Sequence, residues 1–227
     1  MQRTELYKWF TAFYLISRVD SGVSATVLSQ AIRVTYKTAW LILHKIRHAM
    51  TLANQQTLLS GIVQVNASAY GKPHNPTIQL HKQERPLLVG AAMDDYGQPA
   101  CFRIKLVPHS HMYQRVISAV GSKAFMEQYI EPCTSNVEIV TGRFSPKRFK
   151  TLLAFVNDAS KWINATFHGL GRKHLQAYLD EFTYRRNLTI REEPILFHLL
   201  RQCISSSSVI REFSRNSYRH VIGNHVE

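Results

Sequence analysis

The chain has 227 residues, 45% of them hydrophobic, a composition that supports a packed core and excludes a wholly disordered protein. Its 28 Lys and Arg residues exceed its 15 Asp and Glu residues, which gives a formal net charge of +13. This surplus favours a polyanionic partner, with nucleic acid ahead of an anionic membrane. The three cysteines, Cys101, Cys133 and Cys203, form no CxxC pair, so neither a zinc ribbon nor a disulfide framework is predicted.

Membrane insertion and secretion are not expected. No apolar run reaches the roughly 18 residues that a membrane-spanning helix needs. The apolar run at residues 9–16 is shorter, and no small-residue cleavage site follows it. The expected location is therefore the cytoplasm, in association with the nucleoid if the host is bacterial.

The amino-terminal 50 residues predict three helices. Residues 4–17 place apolar side chains at helical spacing. Ser24 can cap a short helix that ends near Ile32, and Thr35 can cap a second helix with an apolar stripe. Only Arg33 and Val34 separate these two helices, and so tight a turn in a strongly basic chain indicates a helix-turn-helix. Residues 1–50 are therefore predicted to be a helical DNA-binding domain.

The second helix of a helix-turn-helix enters the major groove with its amino end first. Side chains near that end can reach base edges, whereas basic side chains further along suit phosphate contacts. A helical hairpin whose basic face is merely solvated is the alternative interpretation of the same pattern. The predicted DNA-binding residues are Arg33, Tyr36, Lys37, Thr38, Lys45 and Arg47.

The rest of the chain predicts an α/β domain. Residues 51–59 are polar and are predicted to be a linker. Strands are predicted at 61–67, 86–93, 100–107 and 136–142, with a helix at 112–130 between the third and fourth strands and further helices up to about residue 203. The order β-β-β-α-β is that of the opening of an RNase H-like domain, which is assigned here to residues 60–203. Residues 204–227 are predicted to be a weakly ordered tail.

Three motifs accompany this order of elements. The first is LYKWFTAFYLI followed by GVSATVLSQAIRVTYKTAWLILHKIRHAM, the second is GIVQVNASAYGK, and the third is KWINATFHGLGRKHLQAYLDEFTYRRN. Together they resemble the ISXO-two-like branch of the DDE insertion-sequence transposases, from about residue 6 to about residue 200. The third motif is the most specific, because it closely matches that family's signature G-T-x-H-G, then K-H-L-Q-x-Y-L-D-E-F, then R-x-N.

The resemblance implies a fold and an activity. Such proteins carry a helix-turn-helix before an RNase H-like catalytic domain, and they bind the terminal inverted repeats of a mobile element. They use Mg²⁺ or Mn²⁺ to cleave DNA ends and to transfer strands. The implied partner is double-stranded DNA, bound by a homo-oligomer, with no small-molecule substrate and no membrane.

The sequence departs from the family at the catalytic positions. The first aspartate of the family falls on Asn66 and its following glutamate on Ala67, while Thr141 occupies the place of the second aspartate. The third position falls on Asp158, or on Asn157 with a shift of one residue. A two-metal site needs several acidic ligands close together, so these losses predict that Mg²⁺ or Mn²⁺ is not bound productively and that strand cleavage is impaired.

One further departure from the family concerns the sheet, and three interpretations of the chain remain. The segment between Gly142 and Asp158 is short for a fifth strand, which predicts an incomplete sheet. Asp180 and Glu181 match the family signature, where a structural role is the expected one. The chain can thus be a transposase with an impaired site, a non-catalytic DNA-binding or regulatory protein or decaying remnant on the same scaffold, or an unrelated basic regulator. The carboxy-terminal motif argues against the last.

Overall fold

A computed structural model describes residues 4–18, 22–71, 81, 83–142, 145 and 148–205. Within these residues the main sheet has four strands in the order β3-β2-β1-β6. A short hairpin, β4–β5, lies outside it. The strands are β1 (Ile62–Tyr70), β2 (Arg85–Met93), β3 (Pro99–Leu106), β4 (Met112–Tyr113), β5 (Val116–Ile117) and β6 (Asn136–Val140).

The main sheet is mixed. β1 is antiparallel to β2, β2 is antiparallel to β3, and β1 is parallel to β6. The parallel register places Asn66 of β1 beside Val140, the last residue of β6. This mixed sheet with its helices is compatible with an RNase H-like domain. The described residues contain no fifth strand of that sheet, but residues 143, 144, 146 and 147 lie outside them, so the incomplete sheet stays a prediction.

The helices are α1 (Leu6–Ser17), α2 (Ala25–Ala31), α3 (Tyr36–Gln56), α4 (Ala119–Tyr129), α5 (Lys150–Phe167), α6 (Arg172–Ile190) and α7 (Ile195–Ser205). Two predicted amino-terminal caps are confirmed. The Ser24 side chain accepts a hydrogen bond from the Val27 backbone N–H, and the Thr35 side chain accepts one from Thr38. These bonds satisfy backbone donors that the first turn of a helix leaves without partners.

The two faces of the sheet are covered by different helices. On one face, buried side chains of β2 and β3 pack against α5 and α6, in a cluster that includes Leu152, Val156 and Leu179. On the other face, Val63 and Val65 of β1 pack against α4. Gly90 of β2 permits this close contact, because a Cβ atom at that position would lie 2.8 Å from the Phe125 ring. The sheet is therefore the middle layer of the molecule.

Helix α6 runs along β3, the edge strand, and its side-chain amides take the place of a neighbouring strand. The Leu106 N–H donates to Gln176 Oε1 (2.7 Å), and Gln176 Nε2 donates to the Ile104 carbonyl (2.9 Å). The Phe102 N–H donates to Asn187 Oδ1, and Asn187 Nδ2 donates to the Phe102 carbonyl, both at 3.0 Å. Two residues of the carboxy-terminal motif thus satisfy backbone groups that an edge strand otherwise exposes.

The amino-terminal helices share one hydrophobic core with α6 and α7. Buried residues of α1, α2 and α3 pack in a cluster that also contains Tyr184, Leu188, Ile195 and Leu199. Helix α3 continues to Gln56, so the segment predicted as a linker over 51–59 is instead helical for most of its length. Two of its polar side chains contact α6, since the Thr51 hydroxyl donates to the Asp180 carboxylate and Asn54 Nδ2 donates to the Asp180 carbonyl.

Two other segments differ from the sequence-based expectation. The predicted helix at 112–130 begins only at Ala119, because Ser118 caps it and residues 109–117 form a 3₁₀ turn and the β4–β5 hairpin. Helix α7 extends to Ser205, two residues into the predicted tail. The remainder of that tail, residues 206–227, lies outside the described residues.

Candidate functional site

A groove of about 1,120 Å³ opens at the carboxyl end of β1. One wall is formed by the end of β1, from Ser68 to Tyr70, and by Gly71, which follows it. The opposite wall is one face of α5, with Leu153, Asn157, Ser160 and Asn164 at a helical spacing of three and four residues. The Tyr70 hydroxyl donates to Asn164 Oδ1 (2.9 Å) and ties the two walls together. Arg148 and His168 also line the groove.

Asn66 lies on β1 two residues before this groove, and its side chain is completely buried. Its Nδ2 atom donates a hydrogen bond to the Phe149 carbonyl (3.2 Å), directly before α5. Its Oδ1 atom has no hydrogen-bond partner among the described residues. An amide can donate to a carbonyl in this way and a carboxylate cannot, so the local packing suits asparagine and leaves one oxygen without a ligand.

Thr141 follows directly on β6. Since Asn66 pairs with Val140 across the parallel register, Thr141 is the next residue at the same end of the sheet. Its carbonyl accepts a hydrogen bond from the Ile117 N–H (3.2 Å), so the β4–β5 hairpin closes over it. The structure therefore brings together the first two positions that the family resemblance identifies, and neither of them carries an acid.

The two candidates for the third position, Asn157 and Asp158, lie on different faces of α5. The buried stripe Leu152, Val156 and Ala159 faces the sheet, and Asn157 lies on the adjacent face that lines the groove. Asp158 is exposed and is not among the residues that line the groove. One residue corresponds to a rotation of about 100° around a helix, which turns Asp158 away. The structure does not bring the predicted metal ligand Asp158 together with Asn66.

A pair of divalent cations does not fit these donors. Glu84 is the carboxylate that lines the groove, and it is buried in an ion pair with Arg115 (2.8 Å). Asn66, Thr141 and Asn157 supply only neutral oxygens, whereas Mg²⁺ sites rest on carboxylates. In the part of the chain that the structure describes, no group of three His, Cys, Asp or Glu residues is placed to hold a metal ion.

A second candidate surface lies at the amino end of α3. Arg33, Tyr36 and Lys37 are all exposed, and 59% of the Tyr36 surface is accessible. Thr38 is half-buried, and its hydroxyl lies 2.9 Å from that of Thr35. The four predicted residues in this turn are therefore brought together. The positive end of the helix dipole adds to the charges of Arg33 and Lys37.

Arg33 closes α2 in an unusual backbone conformation. Its φ angle is +50°, in the left-handed region that favours glycine. The Val34 N–H bonds to the Ser29 carbonyl (3.1 Å), which is the six-to-one hydrogen bond of a Schellman motif. An arginine thus occupies the position just after α2 at which glycine would have the lowest steric cost. The conformation holds a cation at the turn between the two helices.

The other two predicted DNA-binding residues lie elsewhere. Lys45 is half-buried, and its Nζ atom lies 5.9 Å from the centre of the Trp9 ring. Arg47 is 1% exposed, and its Nε atom donates to Glu181 Oε2 at 2.6 Å. The expectation that Arg47 contacts DNA phosphate is therefore wrong in this structure, because that side of α3 packs against α6 rather than facing solvent.

The α3–α6 interface is a buried polar network that the sequence alone did not predict. Glu181 lies between Arg47 and Arg185, whose Nη1 atom is 3.6 Å from Glu181 Oε1. Arg47 also lies over the Tyr178 ring, 4.0 Å from its centre. Burial, and then the positive charge of Arg47, lower the pKa of His44 to about 4. Helical spacing predicts which residues share one face of α3 and which share one face of α6. Only the packing of the two helices shows that these faces are buried against each other.

Asp180 extends the network toward the sheet. Its carboxylate accepts hydrogen bonds from the Thr51 hydroxyl and from Gln176 Nε2, both at 2.8 Å. Burial nevertheless raises the pKa of Asp180 to about 6, against the lowering effect of these two donors. The expected structural role of Asp180 and Glu181 agrees with these contacts, which link α3, α6 and β3.

The comparison with protein families gives one match. Residues 114–187 match the ISXO2-like transposase domain. The matched stretch runs from the β4–β5 hairpin through α4, β6 and α5 to Asn187 of α6. This confirms the resemblance to the ISXO-two-like transposases that the motifs indicate. Neither the curated proteins nor the solved structures gave a match. Among the described helices, none is both long and apolar enough to cross a membrane.

Proposed function

We propose that this transposase-like protein binds DNA, namely the terminal inverted repeats of an insertion sequence, and that it does not itself cleave or join strands. The observation that carries this proposal is the buried amide of Asn66, which stands beside Thr141 where the family resemblance calls for two aspartates. Asn157, rather than Asp158, is proposed as the third position of the site, since it faces the groove.

DNA binding is supported by charge and exposure at one surface. Arg33 and Lys37 are exposed at the amino end of α3, in a chain with a net charge of +13. The helix is held firmly behind this surface, because Arg47 is paired with Glu181 in the interface with α6. A rigidly supported helix with an exposed basic end is the arrangement that major-groove recognition requires. Tyr36 and Thr38 are proposed to contact DNA from the same turn.

The lack of strand transfer follows from the donor set. In a two-metal mechanism the acids act as a unit. Loss of one acid removes most of the activity, and loss of a second reduces the small remainder only slightly. An active transposase is the second candidate, favoured by the family match at residues 114–187. Both candidate functions include DNA binding, and they differ only in whether the protein cleaves and joins DNA strands. Binding and strand transfer can therefore be tested separately.

Binding is tested with labelled duplexes that carry the DNA flanking the gene, titrated over a series of salt concentrations. Lys37→Ala is expected to weaken binding and to reduce the salt slope by about 0.9 if Lys37 contacts one phosphate. Lys123→Ala removes the same charge from a side chain that is 77% exposed on α4, and it is the matched control. Equal effects of the two substitutions would contradict a specific surface on α3.

Chemistry is tested on the same duplexes with Mg²⁺ or Mn²⁺. The unmodified protein is expected to bind without nicking or joining strands. Strand transfer above background that Asp158→Ala or Asn157→Ala abolishes would establish the active transposase instead. Binding and strand transfer are read on one gel, so a protein that fails to fold is recognised by its failure to bind.

A further inference from the structure

The outer face of α1 is apolar and exposed. Leu6, Tyr7, Phe10 and Tyr14 are 70%, 60%, 50% and 58% exposed, respectively. Because each residue turns an α-helix by about 100°, these four positions fall within an arc of about 100° on one side of α1. They are called the α1 stripe below. No element among the described residues covers the α1 stripe.

Helix α1 is thus apolar on two sides, of which one is buried. On the inner side, Ala12 and Ile16 have no exposed surface and belong to the core that α1 shares with α2, α3, α6 and α7. A helix that is apolar all round is normally buried all round, and a contiguous exposed apolar patch marks an interaction surface. The outer side of α1 therefore has the composition of a surface that a partner covers.

The polar side chains of α1 do not oppose such burial. The Thr11 and Ser17 hydroxyls donate to carbonyls four and three residues earlier in the same helix, at 3.0 Å and 2.8 Å. Lys8 is the one charged residue of the helix, and its Nζ atom lies 3.1 Å from Glu5 Oε2. Covering the α1 stripe would leave neither this charge nor these two hydroxyls without a partner, so the desolvation cost is low.

We propose that the α1 stripe binds the α1 stripe of a second copy of this chain. Three of its four residues are aromatic, and aromatic residues are enriched at the energetic centres of protein interfaces. A two-fold axis brings the same patch of both copies together, and an uncharged apolar stripe is complementary to itself. DNA is not the expected occupant, because cations and not apolar rings bind its phosphate backbone.

The charge of the chain restricts where two copies can meet. The formal net charge is +13, so two copies repel each other through most of their surfaces. Helix α1 carries a single charge, which Glu5 pairs. Contact through the α1 stripe therefore adds apolar burial at a place where repulsion is weak.

The exposed area of the α1 stripe is compatible with a reversible dimer. A large side chain presents about 200 Å² when it is fully exposed, so the stripe offers about 500 Å² per copy and about 1,000 Å² for a two-fold pair. That total lies at the lower limit of specific interfaces, where complexes are weak or transient. The expected dissociation constant is therefore micromolar rather than nanomolar.

Pairing through α1 has a consequence for DNA binding. Glu5 and Lys8 at the amino end of α1 line one cleft together with Arg33 and Thr38 of the proposed DNA-binding surface. A dimer would carry two such surfaces, which suits a target that presents its site twice. This consequence rests on the proposed function, whereas the pairing of α1 does not, so the pairing is measured without DNA.

The test is sedimentation velocity of the full chain, freed of nucleic acid, from low to high micromolar concentration. The unmodified protein is expected to dimerise reversibly, and more strongly as sodium chloride is added, because salt screens the repulsion between copies. Tyr14→Lys and Phe10→Lys each place a charge within the α1 stripe and are expected to raise the dissociation constant at least tenfold. Tyr96→Lys makes the same change in net charge at an exposed turn and is the matched control.

Dimers that Tyr14→Lys and Phe10→Lys dissociate and that Tyr96→Lys leaves intact confirm the inference. Monomers at every concentration contradict it, and so do dimers that persist in both α1 variants or that all three variants weaken equally. Thermal unfolding of the monomeric variants shows whether each is folded. A much lower melting temperature in both α1 variants than in Tyr96→Lys would mean that the chain itself covers the α1 stripe, and would also overturn the inference.

Discussion

The α3–α6 interface and the carboxyl end of β1 both bury polar groups, but in opposite ways. At the interface, Glu181 is completely buried and is held between Arg47 and Arg185. At the end of β1, Asn66 is equally buried, but it is neutral and makes one hydrogen bond. The acids of the carboxy-terminal motif therefore hold helices together, while Asn66 and Thr141, the first two positions assigned to metal chemistry, carry no acid. In this structure, the acids of the motif that carries the family resemblance form contacts between α3 and α6.

The largest expected effect is on stability at the interface. Glu181→Gln leaves the charges of Arg47 and Arg185 buried without their acid, and breaking a buried pair in this way costs about 3–5 kcal/mol. Urea unfolding measures the loss. Glu138→Gln, at an exposed position of β6, is the control and should change the free energy of unfolding by less than about 0.5 kcal/mol. Similar losses in both variants would remove the distinction between the two regions.

The next effect is the pH dependence of stability at Asp180. Burial raises its pKa from 3.8 to about 6, so between these values the folded state holds a proton that the unfolded state has released. The free energy of unfolding contributed by Asp180 therefore falls as pH rises from about 4 to about 6, by up to about 3 kcal/mol. The Asp180→Asn variant has no such pH-dependent contribution. Its free energy of unfolding relative to that of the unmodified protein should therefore increase from about pH 4 to about pH 6.

The measurement is the difference between the two unfolding free energies from pH 4 to pH 7. This difference isolates Asp180 from His44, whose lowered pKa acts with the opposite sign and is present in both proteins. A difference that does not change with pH would show that Asp180 titrates in the folded state as it does in the unfolded state.

A third effect tests the amide contacts along the edge of the sheet. Asn187→Ala removes both hydrogen bonds to the backbone of Phe102 and is expected to cost about 2 kcal/mol, because the edge strand then has two groups without partners. Asn157→Ala, at an exposed position in the groove, makes the same chemical change and should cost much less. Chemical denaturation of both variants under one condition gives the comparison.

The smallest effect separates stability from DNA binding at Arg33. Glycine adopts a φ angle of +50° without the steric cost that a side chain bears, so Arg33→Gly is expected to stabilise the protein by about 1 kcal/mol. The same substitution removes a proposed phosphate contact and should weaken DNA binding. A variant that is both more stable and weaker in binding confirms the proposal, and unchanged affinity would remove Arg33 from the binding surface.

Several elements could be predicted from sequence because their signals are local. The strand β1 carries the β-branched residues Ile62, Val63 and Val65 with a glycine at each end, and the caps Ser24 and Thr35 precede helices with apolar faces. Asp94 lies in the turn between β2 and β3, and its side chain accepts hydrogen bonds from the backbone N–H groups of Tyr96 and Gln98. Each of these features depends on residues within a few positions along the chain.

The features that the sequence did not predict depend on distant partners. Arg47 looked like a surface cation because nothing near it in sequence shows that α6 covers it. The polar segment after Met50 looked like a linker for the same reason, since its partner is Asp180. Asn157 and Asp158 both lie outside the stripe Leu152, Val156, Ala159 and Ile163, which marks the buried face of α5 and is already visible in the sequence.

Manganese binding tests the central claim most directly. Calorimetric titration of the unmodified protein with Mn²⁺ is expected to show no binding that depends on Asn66. The double variant Asn66→Asp with Thr141→Asp restores two acids beside Asn157, and it is expected to bind Mn²⁺ in a manner that Asn157→Ala weakens and Asp158→Asn does not. Mn²⁺ binding by the unmodified protein that Asn66→Ala abolishes would contradict the account.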